Sequence, residues 1–189
     1  MQKKHSIANR MLLGLFIACL VGCQPTNLSP DNNTDTILMK GTEIPIPFQV
    51  GIFARSVIKD NSPTLLSAYY FLEKGGDTVT SYIHVYEKDG LTLEEKFESL
   101  KNAIQSEDDD PEFRFIAAYD VPLSQGEKLY QGKKGFFRMS DHIFANIYLF
   151  EYGDYFVEYY TDFPRDLERE AEAFVNDFAW SSETPAQAE

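Results

Sequence analysis

Cysteine, histidine and basic charge are scarce in this chain of 189 residues, and it contains no apolar run of membrane-spanning length. The two cysteines, Cys19 and Cys23, both lie in the first 23 residues. The chain beyond them therefore has no disulfide and no cysteine-based metal site, so its core alone must hold the fold. The three histidines, His5, His84 and His142, stand far apart, and no His-Glu-x-x-His spacing offers a metal site. The run Asp108-Asp109-Asp110 lacks the alternating ligand spacing and the closing glutamate of a calcium loop. Neither a Gly-x-Ser-x-Gly nucleophile turn nor a phosphate-cradling glycine loop occurs. Carboxylates are so plentiful that any chosen pair would be arbitrary. The sequence thus assigns no catalytic residue, no metal and no cofactor. With 17 Lys and Arg against 30 Asp and Glu, the formal net charge is −13. Such a surface repels phosphates and anionic headgroups, which argues against a nucleic-acid partner and against electrostatic docking onto lipid.

What is present begins at the leading segment. Lys3, Lys4 and Arg10 precede an apolar run over residues 11–21, broken only by Gly14. A basic start, an apolar run and then small residues is the layout of a secretory signal peptide. A spanning helix needs ~20 apolar residues, more than this run supplies. The run ends in Leu20-Val21-Gly22-Cys23, which resembles the lipobox of bacterial lipoproteins. That resemblance implies a diacylglycerol on the Cys23 sulfur, cleavage just before it and acylation (palmitate, for example) of the new amino group. With Cys23 acylated, no free thiol nucleophile remains, since Cys19 leaves with the signal. In diderm lipoproteins an aspartate after the cysteine commonly acts as an inner-membrane retention signal. Gln24 departs from it, so the resemblance implies an outer-membrane protein facing the periplasm if the host is diderm. Removing three basic residues and no acidic one takes the charge from −13 to −16.

The expected organisation is a signal peptide over residues 1–22, a lipidated tether over 23–43, one domain over 44–180 and a polar tail over 181–189. The tether is rich in Pro, Asn, Thr, Ser and Asp. In the domain, residues 50–58, 65–72 and 78–86 read as strands of a meander. Thr92 and Glu95 have capping-box spacing, and Leu93, Phe97, Leu100 and Ile104 form the apolar stripe of a helix. Residues 113–119 read as a strand, 121–125 as the start of a loop, and Gly132 as a turn before another strand from Gly135. Residues 142–152 and 155–163 form a hairpin about Gly153-Asp154. Leu167, Ala171, Phe174, Val175 and Phe178 mark a second amphipathic helix. This order predicts an α+β fold: an antiparallel sheet of six or seven strands with both helices on one face. The order resembles the PsbP-like fold, also seen in the DcrB lipoprotein family, and a fold does not fix function.

Aromatics and arginines are the remaining signal. Tyr82, His84 and Tyr86 share one side of a strand, and tyrosine suits a half-wet recognition surface as well as it suits cross-strand packing. Arg55 and Arg138 are strand cations in an acidic chain, each able to pair with an acid or to hold an anion. The expected role is a lipid-anchored bacterial envelope protein that works by binding or assembly, with an envelope protein as partner. Two other readings stay open: a small-ligand binder using the tyrosine face, and an enzyme whose site is assembled from residues distant in sequence.

Overall fold

The structure is a computed structural model and describes residues 37–38, 42, 44–62, 65–106, 113–178 and 180. The expected signal peptide, the lipobox with Cys23, most of the tether, the Asp108–Asp110 run and the polar tail lie outside the described residues.

Among the described residues, ten strands and two helices follow one another in chain order. Strand β1 (Ile37–Leu38) pairs with β2 (Pro45–Ile46). Its two residues lie inside the span read as tether. A single antiparallel sheet then takes β3 (Gln49–Val50), β4 (Phe53–Ser62), β5 (Leu65–Lys74) and β6 (Asp77–Glu87) as a meander. Helix α1 (Leu93–Ser106) carries the chain to the far edge, where β7 (Arg114–Gln125), β8 (Lys128–Arg138), β9 (Ile143–Tyr152) and β10 (Tyr155–Pro164) meander back. Strand β10 closes the eight-stranded sheet against β6, giving the order β3-β4-β5-β6-β10-β9-β8-β7. A 3-10 turn (Arg165–Leu167) leads into helix α2 (Glu168–Asp177).

The α+β class holds, with more strands than the six or seven expected. The helices do not share a face. Side chains alternate across a strand, and the register separates the two faces cleanly. Phe97 of α1 packs with Phe137, Ala145, Ile147, Phe156 and Tyr160. The intervening residues Tyr148, Phe150, Val157 and Tyr159 pack with Ala171, Phe174 and Val175 of α2. The reason lies in β9 and β10, whose central residues are buried on both parities. A strand with no wet side needs cover above and below, and one helix serves each face.

Two other expectations change. Strand β7 runs through residues 121–125 to Gln125, and its hairpin turns at Gly126, whose φ of +59° is the left-handed conformation a tight turn needs. Gly132 is mid-strand, paired with Val121 and Phe150. A Cβ there would come within 2.2 Å of the Phe150 ring, so this glycine serves close packing. The capping box forms as expected: Glu95 N–H donates to Thr92 Oγ1 at 3.3 Å, and Thr92 N–H donates to Glu95 Oε2 at 2.9 Å. The chain end is fastened by Gln125, whose Nε2 donates to Phe178 O (2.9 Å) and whose Oε1 accepts from Trp180 N–H (3.0 Å). No helix among the described residues is long and apolar enough to cross a membrane.

Candidate functional site

On the α2 face the helix packs on β10 and β6. Side chains of β7, β8, β9, β10 and the turn into α2 line a cavity of about 420 Å³. Its floor is aromatic: Phe136, Phe144 and Phe163, the first two stacked with centroids 5.5 Å apart and planes 18° apart. Its rim is cationic: Arg114, Arg138 and Arg165. The whole chain has six arginines, so half of them line one cavity of a strongly acidic protein.

Each arginine comes from a different element. Arg138 ends β8, where its Nε donates to Ser140 O at 3.2 Å and its guanidinium pairs with Asp141. Arg114 opens β7 directly opposite Arg138 in the register. Arg165 begins the turn after β10; its backbone N–H donates to His142 O at 3.3 Å, and its guanidinium lies 5.9 Å above the Phe144 ring. The β8–β9 hairpin that places them is braced by Ser140 Oγ, which accepts from the backbone N–H groups of His142 and Ile143. A bulge in β7 inserts Ile116 between the paired residues Phe115 and Ala117 and turns it onto the rim. Asp141 and Glu168 also line the cavity. Like charges directly opposite on paired strands are destabilising, and neither Arg114 nor Arg165 has an ion-pair partner among the described residues. Planar guanidinium groups converging on an apolar floor are suited to a carboxylate or phosphate carried on a flat apolar body.

A second, smaller cavity of about 240 Å³ lies beside Val121, Tyr148, Phe150 and Asn176. Lys134 lines it, with its Nζ 2.8 Å from Glu172 Oε1 and 5.3 Å from the Tyr148 ring centroid. Burial pushes the Tyr148 hydroxyl up to about 12, so it remains a neutral donor at physiological pH.

Of the residues singled out from sequence, only Arg138 lies at this cavity. Arg55 donates from Nη1 to Ile46 O at 2.7 Å and lies over Phe48 (5.8 Å), fastening β2 to the sheet. Tyr82, His84 and Tyr86 do come together, on the opposite, α1 face. Tyr82 stacks between Tyr160 (4.8 Å) and His84 (4.6 Å), and Tyr86 Oη donates to Glu158 Oε2 at 3.0 Å. Tyr82 and Tyr86 are half-buried, while His84 at 5% and Glu158 at 6% exposure lie beneath them in the interior. Burial, followed by the Lys59 charge, lowers the His84 pKa to about 4. Burial raises Glu158 to about 7 against the Tyr86 hydrogen bond and the Lys96 charge. Burial likewise raises Asp162 to about 6 despite a hydrogen bond from Thr80 N–H.

Arg114, Arg165 and the three phenylalanines were not identified from sequence. The available signal was the scarcity of arginine in an acidic chain; convergence across three elements is a tertiary fact. Among the described residues no three His, Cys, Asp or Glu side chains are grouped to hold a metal ion. The chain matches no protein-family model and no curated protein.

Proposed function

We propose that this protein is a lipid-anchored bacterial envelope protein that acts by binding, and that its ligand is a small anion held in the arginine cavity. The observation that carries this reading is the set of Arg114, Arg138 and Arg165 around a phenylalanine floor in a chain of net charge −13. A cavity of this volume lies within the ordinary range of small-molecule sites, which are apolar with a few fixed polar groups. Two opposed arginines cost the fold, and an anion between them removes that cost while gaining charge-assisted hydrogen bonds. The half-wet tyrosine surface expected from sequence gives less support, because its polar groups His84 and Glu158 are interior and Tyr86 is already engaged with Glu158. Attachment to the membrane through acyl chains on Cys23, an outer-membrane address in a diderm host and an envelope protein as partner belong to the same proposal, on the strength of the lipobox resemblance. The PsbP-like and DcrB-like topology also stands as part of it, supported by the strand and helix order.

The test is a titration of the full chain with benzoate and with phenyl phosphate, followed by NMR. The expected result is saturable shifts confined to residues around Phe144 and Arg165. Arg165→Gln should weaken the affinity roughly tenfold, the loss of one charge-assisted contact. Shifts spread over the whole surface, or an unchanged affinity in the Arg165→Gln variant, would remove the basis for the reading.

A further inference from the structure

Behind the phenylalanines of the arginine cavity, the α2 face carries a row of polar side chains that have no hydrogen-bond partners among the described residues. Ser81, Thr161 and Asn146 are cross-strand neighbours on β6, β10 and β9, and all three are 0% exposed. Ser81 Oγ, Thr161 Oγ1 and both Oδ1 and Nδ2 of Asn146 make no hydrogen bond among the described residues. By strand alternation they face the same way as the cavity floor. Asn146 is the register partner of Phe136 and stands two residues from Phe144, while Thr161 stands two residues from Phe163. Burying an amide and two hydroxyls without partners is costly, and apolar side chains of the same shape would serve the fold better. Each such group in a native protein calls for an explanation, and here three adjacent ones lie behind Phe136, Phe144 and Phe163, which line one cavity. Phe136 and Phe144, which line the cavity and neighbour the row in the register, are only partly buried and stack on each other; a change of their side-chain rotamers is the movement that would open the row to the cavity.

We propose that Asn146 and Thr161, with Ser81 behind them, form the inner wall of the arginine cavity, and that its ligand is a planar anion with a hydrogen-bonding hydroxyl or amide opposite its charged end. The inference rests on the anion-binding reading of that cavity. The spacing fits the ligand. Two residues along a strand span about 6.7 Å, which is on the order of the distance across a six-membered ring carrying a substituent at each end. Asn146 offers both a donor and an acceptor, and Thr161 offers a hydroxyl that does either. The far group of the ligand would therefore satisfy atoms that the fold leaves unpaired. A site with buried unpaired polar groups discriminates strongly against an analogue lacking the matching group.

The experiment compares two probe pairs on the full chain by calorimetry: 4-hydroxybenzoate against benzoate, and 4-hydroxyphenyl phosphate against phenyl phosphate. The first pair tests a carboxylate source and the second a phosphate source. The expected result is a preference of roughly tenfold or more for the hydroxylated member of at least one pair. Asn146→Leu and Thr161→Val, which keep the side-chain shapes, should remove the preference while keeping the affinity for the unsubstituted member. Neither variant should lower the Tm, because each removes an unpaired polar group. Equal binding of both members by the natural chain, or a preference that survives in Asn146→Leu, overturns this inference and leaves the anion site standing. Binding of neither pair overturns both.

Discussion

At the scale of single residues, the buried carboxyl of Glu158 has the most consequence for stability. It lies beside His84 in the register, accepts a hydrogen bond from the Tyr86 hydroxyl at 3.0 Å, and holds its proton up to about 7 because burial penalises the anion. The unfolded chain releases that proton near 4.5. The folded state therefore binds more protons between these two values, and the contribution is fully present below pH 4.5 and lost as pH rises to about 7. The difference corresponds to about 3 kcal/mol. Asp162, raised to about 6, acts in the same direction. His84 acts in the opposite one: its burial as a neutral ring contributes above pH 6.5 and is lost as pH falls through about 4. Comparing Glu158→Gln with the natural chain cancels the other two groups, since both are present in each. Urea unfolding across pH 4 to 8 should show the variant no more stable at pH 4 and more stable by up to about 3 kcal/mol at pH 8. A difference that does not vary with pH would mean that Glu158 is already ionised in the native protein.

At the scale of elements, the hairpin β7–β8 joins the fold to the site, and Gly132 is the position on which its packing turns. A methyl group there meets the Phe150 ring at 2.2 Å and Leu149 O at 2.6 Å, and neither a core ring nor a strand carbonyl yields freely. Gly132→Ala should cost about 3 kcal/mol through overpacking. Gly135→Ala, whose nearest contact is Ile147 Cγ2 at 2.9 Å, should cost less; thermal unfolding of the two variants checks the order. Gly132 also shows where the sequence stops being readable. In isolation Gly-Lys-Lys-Gly reads as a turn, because glycine's usual local meaning is conformational freedom. Its meaning here is the approach of the Phe150 ring from β9, eighteen residues away in the chain. The elements whose signals are local were legible: the capping box of Thr92 and Glu95, the α1 stripe on Phe97, and the hairpin at Gly153. The placement of the two helices was not, because it depends on both parities of β9 and β10 being buried, and a continuous apolar strand does not say which helix covers which side. The candidate site was the least legible of all. Arg138 could be noted as an unusual cation, whereas its convergence with Arg114 and Arg165 requires β7 to cross the molecule by way of α1 and β10 to return to the centre of the sheet.

At the scale of the whole molecule, the net charge bears on both the proposed anion site and the proposed anchor. A chain of net charge −13 repels an anionic ligand at long range, and the repulsion is screened beyond about 8 Å at physiological ionic strength. The arginine cavity then acts at contact distance, where its guanidinium groups are fixed by the β8–β9 hairpin and the turn after β10. The same negative charge keeps the domain off an anionic membrane surface, so membrane attachment falls to the lipobox cysteine in the proposed arrangement. Each buried methylene contributes about 0.8 kcal/mol, which leaves one acyl chain a reversible anchor and makes two or three a firm one. Cys23→Ser removes the sulfur that would carry the diacylglycerol, and its effect should be all or none: loss of acyl labelling, and movement of the protein from the membrane pellet to the soluble fraction after cell lysis. The variant should bind benzoate or phenyl phosphate with the affinity of the anchored protein, since Cys23 precedes every residue that lines the cavity. A variant that stays in the pellet with its size and labelling unchanged would show that Cys23 does not carry the anchor. A soluble variant with altered ligand affinity would instead show that the membrane surface contributes to the site, through the repulsive field that the anchored domain experiences and the free domain does not.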